Sequence, residues 1–481
     1  MKVKIVISTL LVAALLLPLN AEEGGKYEPS WASLDSRPTP KWWVDAKFGI
    51  FIHWGPYSVP AYSPMSGKDD YANYAEWYAG QLMRTNAEVV AYHKRMYGNV
   101  PYANLAAQFK AENFDPAKWA ALFKKAGARY AVLTSKHHDG YALWPSPESP
   151  YYNSVALGSG RDLCGEFASA MRKEGLKCGF YYSLLEHGNA RYPLKVRYVP
   201  AWGKDALPMK EWARTMNIPQ LKELAECYSA DILWSDGDWD WPDEDQCSKE
   251  FLAWLYNESK VRETVAVNDR WGRKNRGKHG GHYTTEYGGG ADGTKGHDSD
   301  IVHPWEECRG IGKSFGYNRM ETTADYMSRE KCIETLVDVA SRGGNLLLNV
   351  GPTADGRIPA IMEDRLLAIG RWLDVNGEAI YGTTRWAKAD SSLREQGIYT
   401  TRKGASIYLI IMQWPEKAIV IPRVGLVRSV ELLGSDKRVE WTQTGGALRF
   451  VLPHLAVNEL PCRYAWSIRV GLAGREGAYG N

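Results

Sequence analysis

The 481-residue sequence has almost no excess of either charge: 59 lysines and arginines face 56 aspartates and glutamates, a net of +3. That balance gives no electrostatic reason to expect nucleic acid as a partner. No Cys-x-x-Cys, His-x-His or His-Glu-x-x-His spacing appears, so the usual metal-ligand patterns are missing. No Gly-x-Ser-x-Gly nucleophile elbow is read. No glycine-rich phosphate loop follows the first strand: Gly288 to Gly290 trail a weak strand and carry no lysine. Cysteines number seven, scattered from Cys164 to Cys462. Most read as small buried apolar residues, with room for one or two disulfides after export. Phenylalanine is scarce, at 10, beside 20 tryptophans and 28 tyrosines. Indole and phenol rings pair an apolar face with a polar edge, which suits a ligand that is itself apolar on one face and ringed by hydroxyls.

Only one long apolar run is present, and it opens the chain. Lys2 and Lys4 precede Ile5 to Leu17, and Asn20-Ala21 is a plausible cleavage end, so residues 1–21 read as a secretory signal peptide. The run is too short to span a bilayer comfortably. The mature protein is expected to be exported, to a periplasm or the medium, or to a lysosome in a eukaryote. No membrane association is expected after signal removal, and homo-oligomerisation stays open.

From residue 22 to 386 strands and helices alternate. Phe48 to Ile52, Tyr130 to Thr134, Cys178 to Ser183, Ile232 to Trp234, Thr264 to Asn268, His282 to Thr285 and Asn345 to Val350 are apolar runs bounded by turn residues. Ser314 to Tyr317 is the candidate for a further strand. Helices are expected over Ala117 to Ala126 (with Asp115 capping and Pro116 leading), Asp162 to Glu174, Pro219 to Tyr228, Phe251 to Tyr256, Lys331 to Ser341 and Ile361 to Asn376. About eight strands alternating with helices imply parallel strands and a (β/α)8-like TIM barrel, irregular in places, in the α/β class. Residues 387–481 change texture to short strands at close spacing, the pattern of a C-terminal β-sandwich. The Tyr-rich stretch from Pro56 to Gln108 is too long for an ordinary connection and reads as a functional loop region with short helices.

Polar residues gather at the strand C-termini, where a parallel barrel puts its chemistry. His53, His137, His138, Asp236, Asp269, Arg270 and Glu286 all fall there. Asp236 ends the buried run Ile232 to Trp234 and is the candidate nucleophile; its bland alternative is a helix cap. Two carboxylates among aromatic and hydroxyl-binding groups are what glycoside hydrolysis needs. Metal ligation by His137 and His138 is disfavoured, because adjacent side chains at a strand end are expected to diverge. Neither a metal nor another cofactor is expected.

The stretches Phe48 to Gly55, Glu76-Trp77-Tyr78, Lys136 to Gly140, Leu233 to Gly237, Asn268 to Gly272, Ser314 to Arg319 and Gly343 to Pro352 together resemble the α-L-fucosidases of glycoside hydrolase family 29, in wording closest to the broad-specificity, animal lysosomal branch. The resemblance runs from about residue 30 to the C-terminus. It implies a retaining exo-glycosidase acting on a fucosylated glycan or oligosaccharide, with Asp236 as nucleophile. It implies sugar contacts from His53, Glu76, Trp77, His137, His138, Tyr181, Trp234 and Arg270, with Phe315 and Trp305 against the sugar's methyl group. Glu286 is favoured as acid/base, and Asp269 is the alternative. Against Asp269, a neighbouring arginine lowers a carboxyl pKa, the wrong direction for a proton donor. The glycine cluster after Glu286 suggests a mobile loop that could carry it inward. A non-catalytic fucose-binding protein and a retaining glycosidase for another sugar, such as α-galactose, are the competing readings.

Overall fold

A computed structural model describes residues 27–66, 73–194, 205–287 and 303–473. Residues 1–21 and the glycine cluster at 288–290 lie outside the described residues. Eight strands form one sheet: Phe48–Ile52 (β1), Tyr130–Lys136 (β2), Lys177–Ser183 (β3), Ile232–Asp236 (β4), Ala266–Val267 (β5), Tyr283–Glu286 (β6), Trp305–Gly310 (β7) and Asn345–Val350 (β8). All neighbours pair parallel, in the order β5-β4-β3-β2-β1-β8-β7-β6. The two ends of this order meet at one isolated parallel bridge, Asn268 to His282, beside a hydrogen bond from His282 N–H to the Val267 carbonyl at 3.0 Å. Gly281 makes that approach feasible: a Cβ there would stand 1.7 Å from the Val267 oxygen. The sheet is therefore a TIM-like barrel whose last seam is a single rung.

The helices that cover it start as their sequences dictate. Pro116–Lys125 has Asp115 as its cap, accepting from Lys118 N–H, and Pro116 at its first position, where a missing N–H costs nothing. Its Trp119, Ala120 and Phe123 are buried on one face. Leu163–Lys173 is capped by Asp162, and Arg329–Ser341 by Ser328.

One strand differs from the expectation. The seventh is β7, Trp305–Gly310, and Ser314 to Tyr317 is irregular chain beyond it. β7 escapes a hydrophobic scan because it buries Glu306 and Glu307. Glu306 accepts from Tyr130 OH at 2.5 Å and Trp234 Nε1 at 2.9 Å, and Glu307 from Thr285 Oγ1 at 2.5 Å. Buried carboxylates are tolerated only when so satisfied.

From Thr384 onward the chain forms a five-stranded and a three-stranded antiparallel sheet. Ile407, Leu409, Ile468 and Val470 of the first meet Ile421, Leu448 and Phe450 of the second in one buried cluster, as a sandwich requires. The sandwich is tied to the barrel by Trp372 Nε1, which donates to the Ala465 carbonyl at 2.9 Å, and by Thr401 Oγ1, which donates to the Ala379 carbonyl at 2.6 Å. All seven cysteines are unpaired thiols, five of them buried, so no disulfide forms. Among the described residues no helix is long and apolar enough to cross a membrane.

Candidate active site

The strand period of two sets the site. On β4, Trp234 and Asp236 point into the barrel while Leu233 and Ser235 point out. Ser235 Oγ is anchored there by Asn268 and the Arg270 carbonyl at 2.9 and 2.6 Å. Gly237, at φ +74°, turns the chain directly after Asp236.

One pocket at this end of the barrel is lined by His53, Glu76, Trp77, His137, His138, Tyr181, Trp234, Asp236, Arg270, Glu286 and Phe315. Glu76 and Trp77 come from the long loop region between β1 and β2, which folds into short helical turns. Two predicted site residues are elsewhere. Trp305 is buried in the barrel's packing layer against Gly344, with Arg342 over its ring at 4.6 Å, because its position on β7 faces away from the pocket. Asp269 is fully buried outside the lining, accepting from Thr284 Oγ1 at 2.7 Å and Gly277 N–H at 2.8 Å. Burial pushes its carboxyl up, against those hydrogen bonds and the nearby Arg270 and Arg276.

The two remaining acids meet on one guanidinium. Arg270 Nη1 is 2.9 Å from Asp236 Oδ1 and 2.5 Å from Glu286 Oε1. Two oxygens held on one nitrogen can be no further apart than those distances laid end to end, 5.4 Å. Asp236 Oδ1 also faces Arg276 Nη2 at 3.4 Å. Its Oδ2 accepts from Tyr181 OH at 2.8 Å and lies 3.7 Å from His138 Nε2. Burial alone would raise this carboxyl; Arg270, His138 and Arg276 outweigh it and hold Asp236 below the ordinary carboxylate range. Glu76 shows the reverse balance. It is 3% exposed, and burial lifts it to about 7 in spite of donors at Gly316 N–H and Ser314 Oγ.

The histidines are neutral, and their partners assign their protons. Asn349 Nδ2 donates to the Phe315 carbonyl, so its Oδ1 must accept from His53 Nδ1–H at 2.7 Å. Ser183 donates its hydroxyl to the Leu185 carbonyl, so it accepts from His138 Nδ1–H at 2.6 Å. In both rings Nε2 is then a bare acceptor. Burial lowers His53 to about 3 and His138 to about 4, so this state persists at neutral pH. His137 and His138 do not diverge: they lie past the end of β2, where alternation no longer applies, with ring centroids 4.2 Å apart.

Five further lining residues were not among the expected site residues: Phe51, Tyr74, Trp239, Arg276 and Cys308. Trp239, three positions after Asp236, could have been flagged by proximity. Cys308 was hidden with its strand, and Tyr74 and Arg276 lie in loops without a pattern. A Gly-x-Ser-x-Gly spacing does occur, at Gly312 to Gly316, but Ser314 spends its hydroxyl on Glu76 and sits on no strand-to-helix turn.

A family profile described as α-L-fucosidase matches residues 15–378, and one described as the α-L-fucosidase C-terminal domain matches residues 390–471. The chain belongs to the family 29 α-L-fucosidases. It is 40% identical over 470 residues to a rat tissue α-L-fucosidase, covering 95% of this chain and 96% of the relative. The human tissue α-L-fucosidase is 39% identical, with 94% and 93% covered. Among solved structures, a Thermotoga maritima α-fucosidase in complex with a mechanism-based inhibitor superposes with a TM-score of 0.78 at 38% identity, covering 92% of this chain and 100% of that one. The same enzyme in complex with fucose gives 0.77 at 37% identity, with 92% and 100% covered. The chain is thus an α-L-fucosidase, a glycoside hydrolase on a TIM-like barrel with C-terminal antiparallel sheets.

Proposed function

We propose that this α-L-fucosidase releases terminal fucose from glycans with retention of configuration, by two displacements at one carbon. Asp236 attacks the anomeric carbon while the glycosidic C–O bond breaks and Glu286 gives its proton to the departing oxygen. Water then attacks the same carbon, passes a proton to Glu286 and frees the Asp236 carboxylate. The observation that carries this reading is the shared Arg270 nitrogen: its two acceptor oxygens lie within 5.4 Å of each other, which supports the close carboxyl pair, roughly 5–5.5 Å, of retaining enzymes over the roughly 6.5–9.5 Å of inverting ones. As the leaving oxygen arrives, the Glu286 ion pair opens, Glu286 takes up from water the proton it then gives to that oxygen, and Asp236 keeps the guanidinium.

The remaining lining has roles consistent with this chemistry. The bare Nε2 atoms of His53 and His138 suit sugar hydroxyls, which can donate to them. Phe315, packed on His53 at 4.9 Å, offers an apolar wall for the C5 methyl group. A sugar bearing O6 would bury an unpaired hydroxyl there, at about 1–3 kcal/mol. Trp305 is withdrawn from that wall. Residues 1–21, read as a signal peptide, support action outside the cytosol.

Glu76 is the second reading for the proton donor, because burial lifts it to about 7. Against it, its Oε2 is occupied by Ser314 and Gly316, whereas the Glu286 side chain is 36% exposed, where a leaving group departs. Azide rescue decides among them. Glu286→Gln should lose turnover of poor leaving groups, and on an activated aryl fucoside azide should restore its turnover, giving the α-fucosyl azide. Asp236→Gly should give only the inverted β-azide. An α-azide from Glu76→Gln instead would move the acid role there, and full activity in Asp236→Gly would end the proposal. A non-catalytic binder or an α-galactosidase is tested by relative rates on aryl α-L-fucoside and aryl α-galactoside.

A further inference from the structure

We propose that Asp269 is a positioning residue of this active site: through the Thr284 hydroxyl it fixes the Arg270 guanidinium that both reacting carboxylates share. The inference rests on the roles assigned above to Asp236 and Glu286.

Arginine presents its donors in a rigid plane, so holding one edge aims the other. Nη1 of Arg270 is engaged by the two carboxylates, and Nε–H donates to Thr284 Oγ1 at 2.9 Å. A hydroxyl has a single proton. That of Thr284 goes to Asp269 Oδ1 at 2.7 Å, which turns a lone pair toward Nε. The direction of this relay is set by the carboxylate, since Asp269 can only accept when ionised. The flat face of Arg270 rests on the Trp234 ring at 4.4 Å, and that indole is itself pinned to Glu306. The guanidinium is thus held at one edge and on one face, inside a site where Arg270 is 2% exposed.

Asp269 also reaches the second arginine. Its Oδ2 accepts from Gly277 N–H at 2.8 Å, the residue after Arg276. Arg276 grips Asp238 and lies 3.4 Å from Asp236. One carboxylate outside the pocket therefore sets the two cations that keep Asp236 charged. The titratable and charged groups around Asp236 are Arg270, Arg276, His138, His53 and Tyr181, with Glu286 across Arg270 and Asp238 across Arg276.

The test compares Asp269→Asn, Thr284→Val, the double variant and Thr284→Ser on two substrates. One is α-L-fucosyl fluoride, whose leaving group needs no proton; the other is a fucosyl disaccharide. Asp269→Asn and Thr284→Val should each lower kcat/KM by about 10- to 100-fold, equally on both substrates, as misplaced catalytic groups do. The acidic limb of the pH profile should move to higher pH, because a loosened Arg270 holds Asp236 less firmly. The double variant should be no worse than either single, and Thr284→Ser should return most of the loss. A loss of kcat/KM on the disaccharide with that on the fluoride unchanged, together with azide restoring turnover of the fluoride as the α-fucosyl azide, would make Asp269 the proton donor and overturn the proposal. So would a lowered melting temperature with an unmoved acidic limb, or an unaffected Thr284→Val. Glu286→Gln runs alongside: if it keeps full disaccharide activity, the acid assignment fails whatever the Asp269 variants do.

Discussion

Replacing Arg270 by methionine keeps the apolar stem of the side chain and removes its charged end. A unit charge about 4 Å away at an effective dielectric of about 20 is worth about 4 kcal/mol, or about 3 pH units on a carboxyl. Tyr181 still donates to Asp236 and Arg276 still faces it at 3.4 Å, which reduces the expected shift to about 2 units. Glu286, freed of its ion pair, adds to it by like-charge repulsion. The sign is fixed: burial pushes the Asp236 carboxyl up, and the largest opposing contribution is Arg270. The assay is kcat/KM on an aryl α-L-fucoside from acid to neutral pH. In the variant, the acidic limb should appear about 2 units higher than in the parent, so the deficit should grow as pH falls. Stability follows the same linkage. A depressed folded-state pKa contributes stability above the unfolded value of about 3.9 and loses it as pH falls through the folded value. The parent's advantage in melting temperature should therefore be full at neutral pH and shrink below about pH 4. A uniform loss of rate with an unmoved limb would refute the electrostatic reasoning.

Glu76→Gln should gain relative stability with rising pH. The parent's carboxyl is raised from 4.5 to about 7, so ionising it costs the folded state progressively between those values, by about 3 kcal/mol at the top; melting temperatures at pH 5 and 8 check this. Trp305→Ala should cost about 3–5 kcal/mol of stability while leaving KM for an aryl fucoside unchanged in the folded fraction, because the indole packs the barrel and not the pocket; a raised KM would return Trp305 to the site. Gly281→Ala should lower both the melting temperature and kcat, since its methyl meets the Val267 carbonyl at the seam next to Arg270 and Glu286.

What was legible in the sequence follows from which forces write a pattern. β1, β2, β3, β4 and β8 are apolar on both faces, so continuous runs such as Asn345 to Val350 declare them. The Asp115-Pro116 start is equally local. β7 writes no such pattern, because it buries two successive carboxylates, Glu306 facing inward on Tyr130 and Trp234 and Glu307 facing outward on Thr285. Its loss misplaced Trp305 and concealed Cys308. The strand-end reading named Asp236, Arg270 and Glu286, which the structure brings together, whereas Asp269, past the end of β5, spends its carboxylate on Thr284 and Gly277 outside the pocket lining. Arg276 depends on a loop tethered by Gly277 to that buried acid, a tertiary fact with no local signature.

The single rung between Asn268 and His282 divides the reaction's labour unevenly. Asp236 stands on β4, braced by β3 along five paired positions, while β5 contributes only two and Glu286 ends a four-residue strand just past the join. The β5 side of this join is not neutral ground: Asn268 bonds Ser235 and Arg270 pairs with Asp236, so a change of chain length there reaches both carboxylates. On the proposed mechanism, a designer who wants to alter which alcohols depart should work on the β6 side, between His282 and Glu286, and leave Asn268 to Arg270 intact.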